Sequence, residues 1–500
     1  MTIPPRVLVG RRWLLLAILC ASLLLVSVDA TVLHMALPAL AEDLRPTATS
    51  QLWIIAVYSL VAAPLLLAFG TLGDRYGRRR ILVLGYVVFG LASLACAWAP
   101  NVAVLIAARA ALGVGGAMIM PATLSLLRQA FPDRAERQTA IGIWSGVAGS
   151  GAVLGPLLGG FLVETFSWHA AFLINVPVMV VAIPLTYWLI PESADPPDGP
   201  WDVLSAVLAG LGIIGVAFAV KQTPHGGTMY VLGPVAGLLG CLLLVTFVRR
   251  QRKLPVPLLD VTLFRDRAFS VAVGSVLLVL TSLVGLGLLF AQYLQLVLAL
   301  QPMPAALRLM FVMASAVVGS IVAGPLLQRF GNRRLTIAGF AVSAVALAVC
   351  AAGLTATENL WLLGPVLAAT GFGVSISLTA ASDALLAAAP AEQAGAAAAV
   401  EETAYELGAG LGVTVLGSVA TLIYSASLPG GAAQARDGLT EATAAAAGLP
   451  PAAGSQLLEL ARAAFVTGLR AALVVGVVLF VLATIAAARA LPKNEGITRR

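Results

Sequence analysis

Gly70-Thr-Leu-Gly-Asp-Arg-Tyr-Gly-Arg-Arg-Arg80 and Gly324-Pro-Leu-Leu-Gln-Arg-Phe-Gly-Asn-Arg-Arg334 are two copies of one element, identical at six of eleven positions without a gap. Each copy lies between two long apolar runs, so each reads as a short basic connection between two helices that cross a membrane. Duplication of this kind builds a chain from two related halves and places a binding site at mid-membrane between them.

The surrounding composition agrees. Of 500 residues 60% are apolar and only 11% charged, with a mean hydropathy of +0.97, which excludes an ordinary soluble domain. The apolar runs are continuous rather than alternating, which excludes a membrane barrel and leaves an all-α polytopic protein. Runs between charge or Pro/Gly punctuation predict fourteen spans, near 13–38, 51–70, 80–99, 102–126, 140–163, 170–190, 203–220, 228–247, 269–298, 305–327, 335–354, 360–388, 396–424 and 467–490.

The first copy of the repeat joins spans two and three and the second joins spans ten and eleven. The chain therefore divides into an N-terminal six-helix bundle (1–190), a Pro-rich polar linker (191–202), two inserted helices (203–247), a basic loop (248–268) and a C-terminal six-helix bundle (269–491). The last contains a long outside loop at 425–466, whose amphipathic stretch Leu457, Leu458, Ala461 and Phe465 is expected to lie on the surface. With this topology 23 of the 30 Lys and Arg residues fall on one side; six, including Lys221, fall on the other, and Arg109 is inside a span. The positive-inside rule makes the first side cytoplasmic, with both termini there.

Several function classes are excluded. The basic residues form no aromatic-interleaved surface for nucleic acid. The chain has no phosphate-binding loop, zinc-binding HExxH helix or GxSxG elbow, and its four cysteines have no CxxC spacing, so neither an enzyme nor a cofactor or metal is expected. An ion gradient is the energy source that this leaves.

Gly70-x-Leu72-x-Asp74-Arg75-x-Gly77-Arg78-Arg79 resembles the cytoplasmic-loop signature of the major facilitator superfamily. Arg109-x-x-x-Gly113-x-Gly115-Gly116 resembles the helix-four arginine motif of that family, and Gly151-x-x-x-Gly155-Pro156-x-x-Gly159 its antiporter motif. Asp29-Ala-Thr-Val-Leu-His34, Phe172-Leu-Ile-Asn-Val-Pro177 and Glu402-Thr-Ala-Tyr-Glu406 are similar to the fourteen-helix drug:proton antiporters, in particular the branch exporting quaternary ammonium compounds, methyl viologen and cationic dyes. The resemblance implies a major facilitator fold of two six-helix bundles plus two inserted helices. It also implies a monomer in the bacterial inner membrane that exchanges lipophilic cations for protons. Ala56 stands where that branch commonly has an acid.

Ionisable groups inside a bilayer are functional candidates by default. Asp29, Glu402 and Glu406 are the candidate proton-coupling and cation-binding residues. Glu402 and Glu406, four apart, share one helix face with Tyr405 beside them and Glu401 about a quarter turn away. His34, Tyr58 and Trp53 are further candidates, and pairing between Asp29 and Arg109 is the structural alternative for those two. Asp74, Arg75, Gly77, Arg78 and Arg79 are assigned to gating. Gly151, Gly155 and Gly159 with Pro156 form a side-chain-free stripe that packs a helix closely, and in the family also helps seal the interface between the halves. Export of an endogenous or antibiotic metabolite, and a non-transporting receptor or scaffold, are the alternatives.

Overall fold

Among the described residues, sixteen α-helices follow one another. They are α1 (Val9–Leu44), α2 (Ala48–Tyr76), α3 (Arg78–Ala97), α4 (Val102–Ala130), α5 (Arg134–Thr165), α6 (Ala170–Leu173), α7 (Asn175–Leu189), α8 (Val203–Gln222), α9 (Met229–Gln251), α10 (Arg267–Gln292), α11 (Pro302–Phe330), α12 (Asn332–Gly353), α13 (Leu360–Ala388), α14 (Ala394–Ser427), α15 (Leu439–Ala447) and α16 (Pro451–Ala490). This computed structural model describes residues 9–190, 192, 202–222, 229–254, 257–357, 359–389, 394–429, 435–436 and 438–492. Most of the linker 191–202 lies outside the described residues.

Asn101, Asp266 and Asn359 cap α4, α10 and α13 by accepting from the backbone amides of Val104, Phe269 and Leu362 at 3.0, 2.9 and 3.3 Å. The two repeat loops end their helices differently. Gly77 and Gly331 turn the chain with φ of 109° and 75°, a region closed to most side chains.

Among the described residues, twelve segments are long and apolar enough to cross a membrane. The one at 302–353 holds both α11 and α12, and α5, with 32 residues, is long enough for another, so the helices are consistent with the fourteen predicted spans, α6 and α7 sharing one. The fold is that of two six-helix bundles plus two inserted helices. One apolar core joins α1, α3, α4 and α7 and a second joins α10 to α14 with α16.

The duplication persists in the packing. Gly113 of α4 admits the Tyr58 carbonyl of α2 and Gly115 admits Phe89 of α3; in the other half Gly371 of α13 admits the Val312 carbonyl of α11 and Gly373 admits Ser343 of α12. Val312 and Ser343 follow Tyr58 and Phe89 at the same spacing as Gly324 follows Gly70.

One expectation is corrected and two are made more specific. The amphipathic stretch of the supposed outside loop belongs to the first turns of α16, where Ala461 is buried and Leu457 and Phe465 pack against the second core. Polar residues at its start shorten the hydropathy signal, but nothing there breaks the helix. Lys221, placed outside by charge counting, is buried. Its Nζ donates to the Leu52 carbonyl at 3.0 Å and lies 4.0 Å from the Trp53 ring centroid, pinning α8 to α2. The α5 stripe packs on α1 of its own half: a Cβ at Gly151, Gly155 or Gly159 would lie 2.3 Å from Ser27 Cβ, 1.9 Å from Thr31 Oγ1 or 2.6 Å from the Val32 carbonyl. Gly160, outside the stripe, meets Pro302 and Met303 across the seam.

The halves touch each other near one end of the bundles. Near the ends of α5 and α10 the Glu164 carboxylate accepts from the Met303 amide at 3.1 Å, and Gln295 donates to the Met35 sulfur at 3.8 Å. Towards the arginine-rich end, Gly142 and Gly146 of α5, Gly274 of α10 and Gly324 of α11 each face open space within 4 Å of where a Cβ would stand.

Candidate functional site

Asp29 and Arg109 are both 1% exposed and form a direct ion pair within the first half. Asp29 sits on α1 and Arg109 on α4, so the pair ties two helices together. The Arg109 Nε donates to the Ile54 carbonyl of α2 at 3.1 Å, and its guanidinium lies 5.0 Å from the Tyr58 ring centroid. Asn175 at the start of α7 completes the cluster, donating to the second Asp29 oxygen at 3.3 Å and to Ser93 of α3 at 3.1 Å. A charge taken out of water is tolerated only when paired and hydrogen-bonded, and both are now so. The arginine motif is thereby explained: Gly113 and Gly116 give Tyr58 the space it needs beneath the guanidinium.

Glu406 on α14 is in a different state. Its Oε2 is buried with no hydrogen-bond partner among the described residues, as are the Tyr58 hydroxyl and the His34 Nε2. Ser59 adjoins Glu406 from α2, and Arg109 is within Coulombic range of it, so α14 carries a carboxylate from the second half to the polar cluster of the first. Glu402 follows one turn along, half-buried. His34 faces the other half, with its ring 3.8 Å from where a Gly287 Cβ would stand.

The structure thus gathers Asp29, Arg109, Tyr58 and Glu406 in one region. Glu401 and Tyr405 turn instead towards Ser382 of α13. Trp53 is drawn away by Lys221 and by Phe218 of α8, ring centroids 6.2 Å apart.

At the first repeat loop Arg79 reaches the Ile190 carbonyl at 2.9 Å, and Arg79 and Arg80 both lie 3.5 Å from a Glu192 oxygen. Glu192 also accepts from the Arg79 amide at 3.2 Å and fills the space where a Gly77 side chain would go. Arg75 stacks beside Tyr76, and Arg78 stands at the start of α3. Asp74 lies in α2, and its side chain is outside the described residues.

Sequence reasoning missed Asn175, Lys221 and Glu192. A lone Asn or Lys within an apolar run was the available signal for the first two. Nothing local marked Glu192, whose partners are over a hundred residues away.

A family model for the Major Facilitator Superfamily matches residues 19–413. The chain belongs to that superfamily. It is 39% identical over 488 residues to the multidrug efflux pump LfrA of Mycolicibacterium smegmatis, covering 95% of both chains. It is also 39% identical to the methyl viologen resistance protein SmvA of Salmonella typhimurium, covering 91% of this chain and 93% of that one. A probable actinorhodin transporter of Streptomyces coelicolor is 34% identical, covering 87% of this chain and 78% of that one. Among solved structures, an inward-facing, unoccupied bacterial homologue of the human lysosomal transporter Spinster superposes with a TM-score of 0.67 over 97% of this chain and 99% of that one, at 19% identity, a likeness of fold alone. The protein is a multi-pass membrane transporter of small molecules and not an enzyme.

Proposed function

We propose that the protein exports lipophilic cations from the bacterial cytoplasm across the inner membrane in exchange for protons. One observation carries the reading: a carboxylate oxygen of Glu406 is buried between the halves with no hydrogen-bond partner among the described residues. Such a group is stable when neutralised, by a proton or by an organic cation, and gains little from both together. That rivalry couples the two fluxes. The names of LfrA and SmvA support the substrate class.

In this reading the arginine-rich end is cytoplasmic, both termini with it, and the cation enters from that end. Glu406 and Glu402 meet the cation, while Asp29, held by Arg109, transmits protonation to the packing of the first half. The two bundles, 1–190 and 269–491, rock about the seam, and α8 and α9 ride with α2 through Lys221. The loop at Gly77 closes the cytoplasmic mouth.

The test is ethidium transport in everted vesicles. Glu406→Gln abolishes efflux driven by the pH gradient while the protein remains folded; unchanged efflux refutes the assignment. The named actinorhodin transporter favours, as a second reading, export of a metabolite, for which ethidium would not compete.

A further inference from the structure

The two repeat loops are equivalent in backbone and unequal in charge. In the first, Arg80 lies 3.5 Å from a Glu192 carboxylate oxygen. Its counterpart in the second copy is Arg334, the last residue of the matching stretch, which is exposed and has no carboxylate within 4.0 Å among the described residues. Asn332 and Asp383 bond to each other at 2.8 Å, which leaves that carboxylate engaged elsewhere.

Arg334 stands at the mouth of a groove of about 360 Å³, whose other walls are wholly apolar: Leu326 and Phe330 of α11, Ala338 and Val342 of α12, Phe372 and Ile376 of α13, among others. The groove exists because α11 and α12 both pack tightly on α13, through Gly319, Gly371, Gly339 and Gly373, and so leave a crevice between themselves. At the corresponding place in α3 the first copy has the larger Leu84 where α12 has Ala338. The groove opens on an apolar, outward-facing surface that includes Phe330 at 41% and Val345 at 64% exposure.

We propose that this groove binds an anionic phospholipid: an acyl chain fills the apolar crevice and the phosphate oxygens give Arg334 the partner that Glu192 gives Arg80. Three features select this occupant. The walls suit a hydrocarbon chain and offer no hydrogen bonds, the single cation is at the mouth, and Arg329 and Arg333 nearby add to the positive field. The site is on the outer surface of the second half, away from Glu406, and does not depend on the transport reading.

The experiment uses the full chain, delipidated in detergent, and follows thermal stabilisation as dioctanoyl phosphatidylglycerol, dioctanoyl phosphatidylcholine or inorganic phosphate is added. Wild type is expected to respond to phosphatidylglycerol at a concentration about tenfold lower than to phosphatidylcholine, and not to phosphate, the ratio expected from one charge-assisted contact. Arg334→Gln removes the preference between the two lipids. Ala338→Phe, on an exposed position of α12, fills the crevice and abolishes both responses while the unliganded melting temperature stays that of wild type. Equal responses to the two lipids in wild type, an undiminished preference in Arg334→Gln, or a phosphate response matching that of phosphatidylglycerol would each overturn the proposal.

Discussion

Gly155→Ala is the most informative single change, because the structure states what the new methyl meets. The added Cβ would lie 1.9 Å from Thr31 Oγ1, 3.0 Å from Thr31 Cβ and 3.2 Å from the Val28 carbonyl, all on α1. Either Thr31 leaves its rotamer, giving up its bonds to Val28 and Gly151, or the two helices separate by about 1.5 Å, and interiors this closely packed do neither without loss. Overpacking of this kind costs about 2 kcal/mol.

The remedy is equally specific. Thr31→Ala removes Oγ1 and leaves contacts that need only a few tenths of an ångström of adjustment. Alone it costs about 0.5–1 kcal/mol, since the Thr31 hydroxyl makes only long hydrogen bonds, 3.3 Å to Val28 and 3.4 Å to Gly151. The pair should couple by about 1–2 kcal/mol, the double variant being nearly as stable as Thr31→Ala. Apparent melting temperature and dye efflux of the four proteins complete the cycle. Simple additivity, or a Gly155→Ala protein as stable as wild type, refutes the reasoning that the stripe is an α1 packing surface. Efflux lost in the double variant at restored stability would show instead that it acts at the seam between the halves.

Asp29→Asn strands the Arg109 charge at 1% exposure and should destabilise by about 3 kcal/mol, most of it regained in Asp29→Asn with Arg109→Gln; equal melting temperatures for Asp29→Asn and wild type would rule out the pair. Gly77→Ala forces φ of 109° on a residue with a Cβ and should cost about 1–2 kcal/mol even in a Glu192→Ala background, because the backbone strain remains after the clash is removed; full rescue by Glu192→Ala would contradict this. For Asp202, just before α8, burial alone would raise the carboxyl, but hydrogen bonds from Arg250 at 3.0 Å and from Ser205 outweigh it and hold it below its ordinary value. A lowered folded-state value means that its stabilising effect is present at neutral pH and lost as pH falls through that value, so protection of the Ser205 amide from hydrogen exchange should weaken in acid and be low at every pH in Asp202→Ala, which has no side-chain acceptor.

Much of this protein is determined by local chemistry and is therefore readable along the chain. Continuous apolar runs can satisfy their backbone in a bilayer only as helices, so the fourteen spans follow from composition alone, and the two glycine-arginine loops disclose the duplication because their turns demand the same residues twice. Glu402 and Glu406 declare themselves by helical spacing. Partnership does not: whether Asp29 faces a proton, a cation or Arg109 depends on how α1 and α4 are rotated in three dimensions, and the structure gives it to Arg109 with Asn175 as a second donor. Lys221 reads as a loop residue because charge counting sees only sequence position, whereas packing α8 on α2 surrounds it with Trp53 and a carbonyl. Which glycines touch which helix, why Glu406 keeps a buried oxygen with no hydrogen-bond partner among the described residues, and the crevice beside Arg334 are all consequences of contacts between residues far apart in the chain, and only the folded arrangement decides them.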